Sequence, residues 1–225
     1  MSTSLTQPSA GPPVPARRPA HGSLIVIAKA PVAGRVKTRL CPPCTPTEAA
    51  ELARAALADT LARVLETPVD RRVLVLDGDP GDWLPDGFEV LTQRGEGLDE
   101  RLAAAFADVG GPALLVGMDT PQVTPELLLE GIDALADPRV DAVLGAAFDG
   151  GYWCIGLARA CPDAVVGVPM SSALTCRHQR DRLAAVGLRV RELRPLRDID
   201  GIDDARAVAA AIPGSRFARA VAALG

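Results

Sequence analysis

The chain has very little lysine and histidine, and aromatic residues make up only 3% of it. The two histidines are His21, close to the N-terminus, and His178, in a polar stretch that we interpret as an exposed helix face. A Ser-His-Asp hydrolase would depend on that single internal histidine, and no Gly-x-Ser-x-Gly turn accompanies it. The net charge of −4 excludes a general basic field for nucleic acid. No apolar run approaches the roughly 20 residues of a membrane span.

The five cysteines are an odd number in a chain too long to need a disulfide scaffold. Cys41 and Cys44, separated by two prolines, are the only close pair. They could be a redox dithiol or half of a zinc site, but zinc usually needs a second Cys/His pair. We therefore interpret this segment as an ordinary loop.

A length of 225 residues with 48% hydrophobic content is sufficient for one sizeable core. Residues 1–22 contain five prolines with several Ser and Thr, and they lack the apolar core of a signal peptide. We expect a disordered tail over residues 1–22, a single domain over residues 23–225 and a cytoplasmic protein.

Strand and helix patterns alternate along the rest of the chain. The helices are predicted to begin after Thr47, over Leu98–Val109 and after Thr124, with two alanine-rich helices at the end. The predicted strands are Leu24–Ala28, Arg72–Asp77, Phe88–Leu91, Ala113–Gly117, Asp141–Gly145, Tyr152–Leu157 and Arg189–Leu193. This alternation predicts an α/β fold of three layers, α/β/α, with a mostly parallel central sheet. The glycine-rich stretch from Asp149 to Thr175 interrupts it, and we expect an irregular or antiparallel region there that receives a second substrate.

Both lysines of the chain, Lys29 and Lys37, lie in one short segment that directly follows the first predicted strand. Arg35 and Arg39 accompany them, and Gly34 allows a turn. Lysine is a compact point charge that suits phosphate oxygens. A basic loop at the end of a first strand is where open α/β sheets bind phosphorylated ligands. The segment therefore predicts a phosphate-binding loop, with a plain solvated loop as the alternative.

Acidic residues follow later strands and point to a cation. Asp119 follows the fourth predicted strand, where its carboxylate would face the phosphates and be repelled unless a cation such as Mg²⁺ lies between them. Asp198 or Asp200 could complete a metal site, and the alternative role for Asp119 is to cap a helix or a turn.

Two glycine-containing segments are candidates for substrate contact. In Asp149-Gly150-Gly151-Tyr152, the glycines would let a ligand lie against the backbone and the ring could pack on an acceptor. In the segment from Gln93 to Gly97, the glycines would let a nucleobase approach. A tight turn with aromatic residues in the core is the alternative for the first segment, and a plain glycine loop before a helix explains the second equally well.

Five motifs, taken together, resemble those of a known superfamily. In order they are Lys-x-Pro-x-x-Gly-x-x-Lys-Thr-Arg-Leu, Gln-x-Gly-x-Gly-Leu-x-Glu-Arg-Leu, Gly-x-Asp-x-Pro, Asp-Gly-Gly-Tyr and Asp-x-Asp. The set resembles the nucleotide-diphospho-sugar transferase superfamily, which has the glycosyltransferase-A fold. It is most similar to small bacterial transferases found beside radical-SAM and selenium-related genes, and related to the phospholactate and molybdenum-cofactor guanylyltransferases.

The resemblance assigns roles to individual residues. It implies that Lys29, Gly34, Lys37 and Arg39 hold the nucleotide phosphates, that Asp119 is a metal ligand and that Asp149, Gly150 and Gly151 border the acceptor. With the patterns above, we expect the nucleotide site to include Pro31, Gln93 and Gly95 as well, and the acceptor site to include Tyr152. We expect Mg²⁺ or Mn²⁺, with Asp200 as the second ligand and Asp149 or Asp198 as alternatives. Lys37, Arg39 and Asp149 are the expected catalytic residues.

We therefore expect a metal-dependent transferase that moves a glycosyl group from a nucleotide sugar to a small-molecule acceptor. One alternative is a nucleotidyltransferase that uses a nucleoside triphosphate and releases pyrophosphate. A catalytically inactive nucleotide-binding module is the other. No nucleic acid or membrane partner is expected.

Overall fold

A computed structural model describes residues 20–224 of the chain. Its seven strands are β1 (Ala20–Lys29), β2 (Val69–Asp77), β3 (Glu89–Thr92), β4 (Ala113–Gly117), β5 (Ala142–Ala147), β6 (Tyr152–Leu157) and β7 (Val190–Leu196). Its helices are α1 (Pro46–Glu66), α2 (Leu98–Val109), α3 (Pro125–Leu135), α4 (Thr175–Ala185), α5 (Ile202–Ala211) and α6 (Arg216–Ala222). None of these helices combines the length and the apolar character needed to cross a membrane.

The seven strands form one sheet in the order β3-β2-β1-β4-β6-β5-β7. Only β6 is antiparallel to its neighbours; every other pair is parallel. The predicted mostly parallel sheet is therefore confirmed, and so is the antiparallel element expected after Asp149. The chain moves from β1 outwards to β2 and β3 and then returns to β4 on the other side of β1. The sheet order thus reverses between β1 and β4, and open α/β sheets bind ligands at the carboxyl ends of the strands at such a reversal.

Alternate residues of the central strands are buried against opposite helix layers. Val26 of β1 belongs to the core shared with α1 and α3, whereas Ile25 belongs to the core shared with α2 and α4. A third cluster joins α1 to the C-terminal helices, with Phe217 fully buried at its centre. Both faces of the sheet are covered, as parallel sheets require.

The N-terminal boundaries of several elements differ from the sequence predictions: β2 begins at Val69 rather than Arg72, and β3, β5 and β7 each begin one residue later than predicted. β1 begins at Ala20 rather than Leu24, because the amide of Ala20 donates to Pro68 O at 3.0 Å and that of Ser23 to Pro112 O at 2.9 Å. Ala20–Gly22 are therefore not part of a disordered tail, and the remainder of that predicted tail lies outside the described residues. The first helix is capped by Thr45, not Thr47. Thr45 directly precedes Pro46 and forms a reciprocal capping box with Glu48.

An ion pair fastens the edge strand β7 to the start of β5. Asp141 accepts hydrogen bonds from the Arg189 amide at 3.0 Å and from its guanidinium Nε at 2.7 Å. These bonds from Arg189 hold the pKa of Asp141 at about 2, below its usual 3.8. A carboxyl whose pKa is lowered by folding stabilises the protein above its unfolded-state pKa and loses that contribution as the pH falls towards the folded-state value.

We predict that Asp141→Asn lowers the free energy of unfolding at pH 7, and that the difference from wild type shrinks between pH 4 and pH 2. Urea unfolding at several pH values measures this. Asp203→Asn is the control, because the Asp203 side chain is 95% exposed and 3.5 Å from Arg206. A difference that is the same at pH 7 and at pH 2 would contradict the assignment.

Candidate functional site

The cleft at the reversal of the sheet order contains two adjoining cavities, with volumes of about 460 and 320 Å³. Lys29, Met118 and Asp119 line both, so the two cavities form one groove across the carboxyl ends of β1 and β4. The smaller cavity is bordered by the basic loop from Lys29 to Arg39, and the larger by α2 and the start of β6.

Two cations of the basic loop are free of partners within residues 20–224. The Lys29 and Arg35 side chains are exposed at the smaller cavity, and neither makes a hydrogen bond or ion pair with any of those residues. Gly34 between them has a φ of +76°, and no atom lies within 4 Å of where a Cβ would stand. The loop therefore turns through a left-handed glycine and leaves open space beside two unneutralised charges.

Lys37 is placed differently, because its ammonium is held inside the protein. Its backbone is left-handed (φ 49°), and its side chain is only 11% exposed. The ammonium lies 2.8 Å from Asp119 Oδ1 and also donates to the carbonyl of Ile199. The Ile199 amide in turn donates to the Asp119 carbonyl at 3.1 Å. Lys37 therefore ties together the basic loop, the turn after β4 and the loop after β7.

Arg39 and Asp200 form a second ion pair at the same cavity. Arg39 Nη1 donates to Asp200 Oδ1 at 2.7 Å, and the pKa of Arg39 is raised by this hydrogen bond and by the Asp200 charge. The side chains are 65% and 43% exposed, so the pair is open to solvent. The predicted metal ligands Asp119 and Asp200 thus line one cavity, but each carboxylate is engaged by a cation of the basic loop.

Among the carboxyl groups that line the groove, Asp198 has the pKa that departs most from its ordinary value. Burial, together with the charge of Asp149, raises its pKa to about 6, while Lys37 acts in the opposite direction. From the sequence, Asp198 and Asp200 are both candidates for the second metal ligand. The structure places Asp198 on the larger cavity and Asp200 on the smaller.

The groove suits a divalent cation that arrives with its ligand. Mg²⁺ is commonly held by one or two carboxylates together with phosphate oxygens and waters. Asp119, with 40% of its side chain exposed beside the basic loop, fits that donor set. Within residues 20–224, no group of three or more His, Cys, Asp or Glu side chains could hold a metal ion. The residues therefore fit a cation bound jointly with phosphate, not a closed protein site.

The segment predicted to meet a nucleobase is used largely for internal contacts. The Gln93 amide donates to Ala28 O at 2.7 Å and to Val75 O at 3.2 Å, and its Oε1 accepts from Arg101 at 3.1 Å. At Gly95, φ is +120° and a Cβ would lie 2.7 Å from Glu100 Cβ. Gly95 is thus required by the packing of this loop on the first turn of α2. Gln93 also lines the larger cavity, whereas Gly95 does not.

The acceptor segment is likewise shaped by internal packing. Asp149 Oδ1 accepts from the Gly151 amide at 2.7 Å, and its other carboxylate oxygen accepts no hydrogen bond from residues 20–224. Gly150 has a φ of +92°, and a Cβ there would lie 2.0 Å from the Ala173 carbonyl oxygen. The packing of Ala173 against Gly150 therefore requires a glycine here, and contact of Gly150 with an acceptor stays a prediction.

The remaining residues singled out in the sequence are Tyr152, Pro31 and His178. The Tyr152 ring lines the larger cavity, but its hydroxyl donates to Gln179 Oε1 at 3.4 Å and burial raises its pKa well above the usual value. Pro31 begins the basic loop and is half-buried. His178 is half-buried, and its Nδ1 is buried without a partner among residues 20–224, so its interpretation as an exposed surface histidine is wrong.

The cysteine pair adjoins the basic loop without joining the site. All five cysteines are free thiols. Cys44 is buried in the cluster formed with α1 and α6, and burial raises the pKa of its thiol. A raised pKa disfavours the thiolate that redox and metal chemistry need. The interpretation of this segment as a structural loop is consistent with that environment.

The sheet order and the groove at β1 and β4 define the class: the chain has the fold of the nucleotide-diphospho-sugar transferases. It belongs to the family described as "Uncharacterized protein conserved in bacteria" (DUF2064), whose model matches residues 51–172. That segment includes Asp119 and Asp149, whereas the basic loop precedes it. Among curated proteins, no match to the sequence was found.

Three solved structures illustrate the relationship. A candidate nucleotide-diphospho-sugar transferase from Desulfovibrio desulfuricans G20 is 27% identical, with a TM-score of 0.77 over 89% of this chain and 92% of that one. A CMP:2-keto-3-deoxy-manno-octonic acid synthetase complexed with CTP is 12% identical (TM-score 0.55, 85% and 99% covered). The 4-diphosphocytidyl-2C-methyl-D-erythritol synthase of Anaerococcus prevotii DSM 20548 is 13% identical (TM-score 0.55, 90% and 97% covered). At such identities, the two synthetases are informative about the fold alone.

We predict that Gly150→Ala lowers the free energy of unfolding by about 2 kcal/mol or more, because it combines a left-handed backbone with a backbone clash. For a chain of this size the melting temperature should fall by at least about 4 °C. Gly151→Ala is the matched control, since the nearest atom to its Cβ would be a side-chain oxygen of Asp149, at 3.1 Å. Equal melting temperatures for the two variants would contradict the packing role of Gly150.

Proposed function

We propose that the protein is a transferase that uses a nucleotide-activated donor and moves a glycosyl group from a nucleotide sugar to a small acceptor. The observation that carries the proposal is the basic loop after β1, which faces Asp119 across a groove of two joined cavities. This arrangement suits a ligand with a strongly anionic part and a larger, mostly uncharged part.

The free cations determine where the phosphates bind. Lys29 and Arg35 border the smaller cavity without partners among the described residues. An ammonium and a guanidinium in that position can donate charge-assisted hydrogen bonds to a diphosphate, and such bonds are stronger than neutral ones. The diphosphate therefore belongs in the smaller cavity, and the nucleoside and sugar belong in the larger one.

Lys37 supplies a charge that can change partner. Its ammonium neutralises Asp119 at 2.8 Å. A divalent cation bound with the diphosphate at Asp119 would supply Lewis-acid neutralisation of the phosphate charge. The Lys37 ammonium, which borders the smaller cavity, can itself donate to a phosphate oxygen and stabilise the negative charge that develops on the leaving group. Electrostatic stabilisation of developing charge is often the largest single contribution to catalysis.

We propose a direct transfer of the glycosyl group, with Asp149, which lines neither of the two cavities, as the base. A hydroxyl or thiol of the acceptor attacks the anomeric carbon of the donor sugar and forms the new bond. The bond between that carbon and the diphosphate oxygen breaks, and its electron pair leaves with the nucleoside diphosphate. Asp149 is the candidate base, since one carboxylate oxygen is not used by the Gly151 amide and can accept the acceptor's proton.

The two alternatives predict different products. Nucleotidyl transfer from a nucleoside triphosphate in the same groove would release pyrophosphate. Glycosyl transfer releases a nucleoside diphosphate instead. An inactive binding module would bind the nucleotide and release neither. Incubation of the protein with Mg²⁺, a panel of nucleotide sugars and triphosphates and candidate acceptors, followed by separation of the products, distinguishes the three.

We predict that Lys37→Ala lowers turnover by about 100-fold or more, by analogy with the loss of an oxyanion-hole donor. The variant also leaves Asp119 without its ion-pair partner, so the melting temperature is measured on the same preparation. Arg54→Ala is the control, because Arg54 pairs with an 84% exposed carboxylate on the surface, and such pairs contribute little. Wild-type turnover in a folded Lys37→Ala protein would remove Lys37 from the mechanism.

We predict that Lys29→Ala weakens nucleoside diphosphate binding without lowering the melting temperature of the free protein, because the Lys29 ammonium has no partner within residues 20–224. Isothermal titration and thermal unfolding together measure both quantities. The expected loss of affinity is about tenfold, corresponding to one charge-assisted hydrogen bond. Unchanged affinity would exclude Lys29 from the phosphate site.

A further inference from the structure

A buried hydroxyl on the wall of the larger cavity lacks a hydrogen-bond partner. Thr120 follows Asp119 directly and is 1% exposed. Its Oγ1 has no hydrogen-bond partner among residues 20–224, although Thr120 lines the 460 Å³ cavity. A buried hydroxyl without a partner costs free energy, and native proteins seldom leave one unbonded.

Several groups around Thr120 are engaged in holding the turn, although Gln122 Oε1, like the Thr120 hydroxyl, is buried without a hydrogen-bond partner among residues 20–224. The Asp119 carbonyl accepts from Ile199, the Thr120 carbonyl accepts from the Val123 amide at 3.1 Å, and the Gln122 side-chain nitrogen donates to the Arg197 carbonyl. Pro121 has no amide hydrogen to offer. The Thr120 hydroxyl is therefore fixed in place by its neighbours without being satisfied by them.

The cavity determines what kind of group could satisfy this hydroxyl. Lys29 lines both cavities, and Arg101 of the larger cavity is paired with Asp77 at 3.0 Å. Thr120 borders the larger cavity but not the smaller one, which holds Arg35, Lys37 and Arg39. A phosphate would lie with those cations. Apolar side chains such as Ile27, Leu98 and Leu115 contribute to the larger cavity, so a neutral polar group is the suitable partner there.

We propose that Thr120 is a substrate-binding residue whose hydroxyl hydrogen-bonds a sugar hydroxyl of the bound nucleotide. This assignment rests on the proposed function. The sugar is either the ribose or the transferred glycosyl group, and both present the same chemistry. Its place beside Asp119 would fix the sugar next to the diphosphate.

The test is Thr120→Val, which preserves shape and removes the hydroxyl. The probes are GDP, UDP, CDP and ADP with Mg²⁺, followed by the 2′-deoxy and 3′-deoxy forms and the glucose conjugate of whichever binds wild type most tightly. We expect the affinity of Thr120→Val for that nucleotide or its glucose conjugate to fall about tenfold by isothermal titration, with a melting temperature of the free protein equal to or above wild type. Thr120→Ser should retain the affinity.

Thr60→Val is the matched control. Thr60 is equally buried, with 0% exposure, but its hydroxyl donates to the Ala56 carbonyl at 3.0 Å within α1. Thr60→Val should therefore lower the melting temperature and leave nucleotide affinity unchanged, the reverse of the result expected for Thr120→Val.

The panel of ligands distinguishes a ribose hydroxyl from a hydroxyl of the glycosyl group as the partner of Thr120. If the partner is a ribose hydroxyl, Thr120→Val weakens the diphosphate but not the corresponding deoxy form. If it belongs to the glycosyl group, only the glucose conjugate is weakened. Thr120→Val with a lower melting temperature and unchanged affinity for every probe would overturn the assignment while leaving the proposed function intact. Failure of wild type to bind any of the nucleotides would overturn both.

Discussion

The geometry of the site depends on the two contacts that the Lys37 ammonium makes. It reaches the Asp119 carboxylate from the basic loop and the Ile199 carbonyl from the loop after β7. With 11% of its side chain exposed, a charge of this kind needs partners inside the protein. Three loops that are far apart in sequence are thereby fixed around one point at the carboxyl ends of β1 and β4. The same charge is the one we propose to move to the phosphate.

Much of the fold could be predicted from the sequence because its signals are local. All seven predicted strands and the helix Leu98–Val109 are present, since buried apolar runs and helical spacing depend on the segment itself. The boundaries at Ala20 and Thr45 could not be placed, because they depend on pairing with Val69 and on which of two nearby threonines meets Glu48. A sequence shows the candidates for such contacts but not the choice among them.

The candidate site, like the fold, was only partly predictable from the sequence. The basic loop and Asp119 were predicted together, because strand ends converge at one edge of a parallel sheet. The internal roles of Gly95 and Gly150 were not, since Glu100 and Ala173 become neighbours only after folding. The ion pairs of Lys37 and Arg39 were missed for a related reason: the sequence shows opposite charges but not their distances. Thr120 carried no signal except its position after Asp119.

The structure of the protein in a crystal grown with Mg²⁺ and a nucleoside diphosphate tests the central claim most directly. We expect both phosphates within hydrogen-bonding distance of the Lys29 and Lys37 ammonium groups, a metal ion bound at Asp119, and the Lys37 side chain displaced from Asp119. A nucleotide bound elsewhere, or bound in the groove with its phosphates away from the basic loop, would contradict it.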